Sequence, residues 1–111
     1  MQITISDNAG STAKIGLVGK LDIAGADVIA MPLAALAGSK KVVIVDFSGV
    51  TFLASIGIRH LVSATKTLSR KNGKLVLVNP SDLVKDVLVT SGVSDLMSIV
   101  ATESEAYALI A

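Results

Sequence analysis

The sequence predicts a single α/β domain: one mixed, mostly parallel sheet of four to five strands packed with about four helices. Three observations carry that expectation. Short β-branched runs, above all residues 41–46 and 74–78, are apolar without alternation, as strands covered on both faces are. The stretches between them are Ala/Leu-rich or carry an apolar period of about 3.6 residues. Finally, 51% of the 111 residues are hydrophobic and 17% charged, below the roughly 25% charged that is usual in soluble domains. Such an excess of Val, Ile, Leu and Ala suits a sheet buried between helices.

Along the chain, residues 2–6 alternate through Ile3 and Ile5 and read as an edge strand. Residues 14–19 begin the central strands. Residues 24–37 make an Ala/Leu-rich helix, in which Pro32 is expected to kink or restart the coil and after which Gly38 is expected to end it. Residues 41–46 are the strongest strand. Residues 55–71 set Ile58, Leu61, Val62, Thr65 and Leu68 on one stripe, an amphipathic helix that Asn72-Gly73 closes in left-handed geometry. Its opposite stripe is Arg59, Ser63, Lys66 and Arg70, with Ile56 near an exposed first turn. After the strand at 74–78, Pro80, Ser81 and Asp82 open a third helix with Leu83, Val84, Val87 and Leu88 inward, stopping near Ser91-Gly92. Residues 97–100 are a weaker strand, and 103–110 a last short helix starting at Thr102 or Glu103. No repeat, low-complexity tract or linker interrupts this order, so one domain over residues 1–111 is expected.

Ten Lys+Arg against nine Asp+Glu leave a net charge of +1, no field to gather nucleic acid or anionic lipid. No stretch reaches the roughly 18 consecutive apolar residues of a membrane span; the best, residues 15–38, is broken by Lys20, Asp22, Asp27 and Pro32. The first residues lack the basic region of a signal peptide. A cytoplasmic protein is expected, with neither nucleic acid nor membrane as a direct partner. The absence of Cys removes disulfides, thiolate metal sites and thiol nucleophiles together.

Catalytic constellations are also missing. A hydrolase nucleophile elbow needs Gly two residues before its Ser, and before Ser55 that position is Leu53. The single His60 lies five residues beyond Ser55, roughly 140° round a helix from it, and so is no base for that serine. Gly19-Lys20 has Lys14 where a phosphate-binding loop needs its leading Gly, and there is no G-x-G-x-x-G. No cluster of acidic residues suggests a metal. A binding protein without cofactor or catalytic residues is expected, not an enzyme.

The junction after the strongest strand carries the most information. Asp46-Phe47-Ser48-Gly49-Val50-Thr51-Phe52-Leu53-Ala54-Ser55-Ile56-Gly57-Ile58-Arg59 leads from the C-terminal end of a central strand to the amphipathic helix, where α/β folds commonly place ligand and partner sites. Ser55 reads as the N-cap of that helix, Asp22 as the cap of the helix beginning near Ala24, and Asp46 as the former of a turn at Ser48-Gly49. Lys66, Arg70, Lys71 and Lys74 complement a helix C-terminus.

The run from Asp46 to Leu61 resembles the signature of the STAS domain, and specifically of the small bacterial anti-sigma factor antagonists: a hydrophobic strand, Asp-hydrophobic-Ser-Gly-Val, a short spacer, then Asp-Ser-(Ser or Ala)-Gly-Leu into a helix. Gly19-Lys20-Leu21-Asp22 upstream, and Asn72-Gly73-Lys74-Leu75 and Thr90-Ser91-Gly92-Val93 downstream, are similar to the family as well. The resemblance implies a STAS fold and a partner switch. In that family the unphosphorylated antagonist binds an anti-sigma factor that is also a serine kinase, freeing a sigma factor; the kinase then phosphorylates the antagonist and the complex parts, with a phosphatase to reset it. By motif position the phosphoacceptor is Ser55, Gly57 is the motif glycine, Ile56 stands where Ser or Ala is usual, Asp22 is the acidic residue near the same surface, and Ala54 replaces the usual Asp before the serine. The expected partner surface is Asp22, Ala54, Ser55, Ile56, Gly57 and Arg59. An alternative implied by the same fold is a STAS adaptor subunit of an ABC-type membrane transporter, which needs no phosphorylation.

Overall fold

Val43, Ile44 and Val45 sit opposite Leu75, Val76 and Leu77 in a parallel ladder, and all six are fully buried. In the computed structural model, which describes residues 1–7 and 10–110, this pair is the middle of one five-stranded sheet. The elements in chain order are β1 (Gln2–Asp7), β2 (Thr12–Leu21), α1 (Ile23–Ser39), β3 (Val42–Leu53), α2 (Ser55–Ser69), β4 (Lys74–Val78), α3 (Asp82–Thr90), β5 (Ser98–Val100) and α4 (Glu103–Ile110). The strands lie side by side in sequence order. β1 is antiparallel to β2 and every other pair is parallel, so the mixed, mostly parallel α/β sheet with four helices is as expected.

Coverage of the sheet differs from the expectation. Parallel crossovers share one hand, so strands laid down in sequence order send α1, α2 and α3 to the same face. There Leu33 and Leu36 of α1, Leu61 and Leu68 of α2, and Val84 and Leu88 of α3 pack on Ile15, Leu17, Val43, Val45, Phe47, Leu75 and Leu77. Only α4 returns to the other face, where Ala106 lies on Ile44, Val76 and Val78. Its first turn is fixed by Thr102 Oγ1, which accepts from Glu105 N, and by Glu105 Oε2, which accepts from Ala101 N. Lys14 Nζ of β2 reaches Glu103 at 2.9 Å, and that hydrogen bond to a carboxylate raises the Lys14 ammonium pKa above its usual value. The β1–β2 half of this face is left open. β2, expected to be covered on both sides, therefore alternates: Ala13, Ile15 and Leu17 are buried, whereas Lys14 and Gly16 are half-exposed and Val18 exposed.

Several boundaries move for identifiable reasons. β2 and β3 both run past their expected ends, and the stretch 47–53, expected as a junction beyond the strand, is strand. Two irregularities hide it in the sequence: Gly16 pairs Asp46 but Val18 pairs Gly49, and Gly19 pairs Val50 but Lys20 pairs Phe52, so β3 carries extra residues that break the apolar period. Asp46 Oδ1 accepts from both Ser48 N and Ser48 Oγ at the first of them. Helix α1 continues unbroken through Pro32 and past Gly38. It stops where Lys40 turns extended, with the ammonium of Lys71 donating to the Ala37 and Lys40 carbonyl oxygens at 2.6 and 2.7 Å; Lys71, just beyond the end of α2, thus serves the C-terminus of α1. On α3, Ser81 is the N-cap and Val84 and Leu88 face inward, but Leu83 is 65% exposed, one position off the inward stripe.

α2 ends as expected, with Asn72 at φ 60°. Gly73 follows because its α-carbon abuts the Lys41 carbonyl, and any Cβ there would collide with that backbone. Gly38 on α1 has nothing within 4 Å of a Cβ position. Gly73→Ala is therefore expected to destabilise the protein by about 1–3 kcal/mol, while Gly38→Ala stabilises it by up to about 1 kcal/mol through helix propensity; urea unfolding midpoints with unchanged slopes read both.

Candidate functional site

The C-terminal tips of β2 and β3 end level with one another: Leu21 pairs Leu53, and Ala54 N donates to the Leu21 carbonyl oxygen at 2.9 Å. The two crossovers leaving these tips start together, so Asp22 at the head of α1 and Ser55 at the head of α2 share one end of the sheet. Two glycines permit this close stacking. Gly25 of α1 lies against the Lys20 carbonyl, and a Cβ on Gly57 of α2 would stand 2.7 Å from Leu21 Cγ and 3.2 Å from Leu53 Cδ1. Gly57 is buried, shaping the surface from beneath instead of forming it.

The two helix starts are finished differently. Asp22 is the N-cap of α1, its Oδ1 accepting from Gly25 N at 2.9 Å, and is half-buried. Ser55 is not a cap. The capping position of α2 is Ala54, whose backbone is still extended (φ −94°, ψ 164°) because β3 runs to Leu53, and whose carbonyl accepts from Gly57 N and Ile58 N. Alanine has no side-chain acceptor, so the first turn of α2 lacks a side-chain cap, and it contains no acidic residue. Ser55, one position later, is exposed, and its hydroxyl makes no hydrogen bond among the described residues. Uncapped N–H groups at the positive end of a helix dipole are a favourable setting for an anion.

Around the hydroxyl, Ala54 and Ile56 are half-buried and Arg59 is exposed; Ile56 is less open than its expected place in an exposed first turn. Arg59 lies one turn beyond Ser55 on the same side of α2 and makes no ion pair or hydrogen bond among the described residues. Ser63, Lys66 and Arg70 continue this exposed side. Two residues not anticipated from sequence join the site. Phe52, paired with Lys20, is 47% exposed, and Ile23, the first residue of α1, is 73% exposed. For Phe52 the signal is strand alternation: with Leu53 inward, Phe52 points out, but only once 47–53 is known to be strand. His60 faces elsewhere, into the α1–α2 groove with Ala30, Leu33, Ala34 and Ser63. Among the described residues no group of three or more His, Asp or Glu is placed to hold a metal, and no helix is long and apolar enough to cross a membrane.

Comparison with known proteins agrees with this architecture. No curated protein sequence matches the chain. Among solved structures, the unphosphorylated form of the anti-sigma factor antagonist SpoIIAA is 26% identical, with a TM-score of 0.83 over 98% of this chain and 96% of that one. The phosphorylated form of the Bacillus cell fate determinant SpoIIAA is 25% identical, with a TM-score of 0.76 over 99% and 100%. An anti-sigma-factor antagonist (STAS) domain protein from Planctomyces limnophilus shares the fold, with a TM-score of 0.87 at 23% identity over 98% and 97%. The sequence model of the STAS domain matches residues 2–106. With the family model spanning residues 2–106 and the fold shared with these structures, this chain belongs to the STAS domain family.

Proposed function

We propose that this protein is an anti-sigma factor antagonist that docks on an anti-sigma factor serine kinase through the tips of β2 and β3 and is released by phosphorylation of Ser55. The observation that carries the proposal is the Ser55 hydroxyl itself: exposed, unengaged, and set at the start of an uncapped helix beside Asp22. The likeness to an anti-sigma factor antagonist solved in unphosphorylated and phosphorylated forms supports the same reading. Ile23, Phe52 and Ile56 supply apolar area and Asp22 and Arg59 charge, the mixture that anchors and steers a protein partner. The kinase transfers the terminal phosphoryl group of ATP to Ser55 Oγ, whose proton leaves to a base on the kinase.

The modification adds about −1.5 to −2 charges at pH 7. Within this chain they fall on free N–H groups and near Arg59, so the phosphate is tolerated or mildly stabilising, by typically 0.3–1 kcal/mol. Release therefore arises in the interface, where a dianion must be desolvated against a surface shaped for a hydroxyl. A thousandfold loss of affinity requires only about 4.1 kcal/mol, a modest sum for desolvation and repulsion together. With Ala54 in place of an acid, this chain contributes no carboxylate repulsion of its own at the preceding position.

Incubation with the cognate kinase and ATP is expected to phosphorylate the wild type at a single serine and to leave Ser55→Ala unmodified, as read by mass spectrometry of peptides. Phosphate on another residue, or an unchanged kinase affinity after modification of Ser55, contradicts the proposal. Arg59 favours the dianion, so the second phosphoserine pKa lies lower in the wild type than in Arg59→Ala; phosphorus NMR titration is expected to show a rise of a few tenths of a unit in the variant.

A further inference from the structure

β1 is an edge strand without the usual protection. Exposed edges are ordinarily blunted by charge, proline, bulges or a covering element, and β5 at the opposite edge has only three residues and leads directly into α4. β1 has a regular six-residue ladder with β2, no proline, and no charge from Gln2 to Ser6; charge enters only at Asp7, which pairs with Lys40. Among the described residues, Gln2 to Ser6 make no backbone hydrogen bond beyond that ladder. Its side chains alternate Gln-Ile-Thr-Ile-Ser, so that uncharged polar and apolar positions follow the same order in both directions from Thr4.

α1 supplies a second, independent observation. Its inner side is apolar, as a packed helix requires, and on its outer side, where Asp27 supplies the one charge, Ala24, Val28, Met31 and Ala35 are apolar and exposed too, with Met31 at 82%. An apolar stripe on a helix is usually a covered one. Ala30 and Ala34 line the groove with α2, and Val28, Pro32 and Ala35 lie roughly 100–160° round the helix from them. That flank of α1, which packs over β2, looks out past β1.

We infer that β1 and the outer flank of α1 form a dimer interface with a second copy of this chain, the two β1 strands pairing antiparallel about Thr4. Backbone parity limits the choice of register: residues directly opposite in an antiparallel pair present the same backbone side to each other, so a two-fold axis normal to the sheet passes through a residue. Centring on Thr4 uses the whole strand. It sets Thr4 against Thr4, Gln2 against Ser6 and Ile3 against Ile5, like with like on each face, and forms roughly four to six backbone hydrogen bonds. Ile5, 44% exposed in one copy, gains a cross-strand neighbour on the core face. Strands about 4.8 Å apart put the two β2 strands roughly 14 Å from each other, close to the 10–12 Å diameter of a helix with its side chains, so the two α1 flanks come within side-chain reach. Ser55 and Arg59 on α2 lie on the far side of α1, leaving both switch sites of the dimer open.

The lack of native Cys makes the test direct. In this register the Thr4 α-carbons stand about 4.5–5.5 Å apart, within disulfide range, whereas the two Gln2 positions are separated by roughly 13 Å. The full-length protein is expected to dimerise with rising concentration in sedimentation equilibrium. Thr4→Cys is expected to cross-link to a covalent dimer under mild oxidation and Gln2→Cys to remain monomeric. Thr4→Lys, which sets two ammonium groups opposite each other at an exposed position, is expected to raise the dimer dissociation constant at least tenfold with an unchanged far-ultraviolet CD spectrum, and Val28→Glu to do the same from the helix. A protein monomeric up to millimolar concentration, or cross-linking as efficient from Gln2→Cys as from Thr4→Cys, overturns the inference.

Discussion

The hydrogen bond from Ala54 N to the Leu21 carbonyl, with Gly57 seated on Leu21 and Leu53, is the constraint on which the site depends. It forces two parallel strands to end level, starts two helices side by side, and leaves the head of α2 without a side-chain cap. Each consequence is local, yet together they lift one hydroxyl into solvent at the positive end of a helix dipole. A side chain at position 57 would push α2 off the strand tips and separate Asp22 from Ser55. The glycine's contribution here is its missing side chain, not its backbone freedom.

Much of this was legible in the sequence. The unbroken apolar runs of β3 and β4 and the five-residue stripe of α2 each have one physical reading, and the structure keeps them. What the sequence concealed has common causes. Residues 47–53 lost their period because extra residues in β3 shift register opposite Gly16 and Gly19, and with the period went the orientation of Phe52. Strand order is not written in any local pattern, so the placement of three helices on one face, and the half-open face it creates at β1–β2, emerge only from the fold. Ser is the better capping residue, so the sequence points to Ser55, whereas strand geometry running to Leu53 gives the position to Ala54.

The same economy governs both surfaces of the molecule. At the strand tips, free helix N–H groups beside an exposed hydroxyl are the setting in which the proposed phosphate would add charge without straining the fold. At the β1 edge, neutrality and internal symmetry of pattern make a second copy the natural complement. The two surfaces lie on opposite sides of α1, and neither requires the other to change shape.

The central claim is that phosphate at Ser55 is accommodated by the first turn of α2 and acts only on what docks there. Amide NMR of the isolated protein before and after modification tests it most directly. The account predicts shift changes confined to residues 20–23 and 54–59, downfield movement of the Ser55 to Gly57 amides, and an unfolding midpoint unchanged or slightly raised. Perturbation spreading through Val43, Val45 and Phe47, or a marked fall in stability, would contradict it.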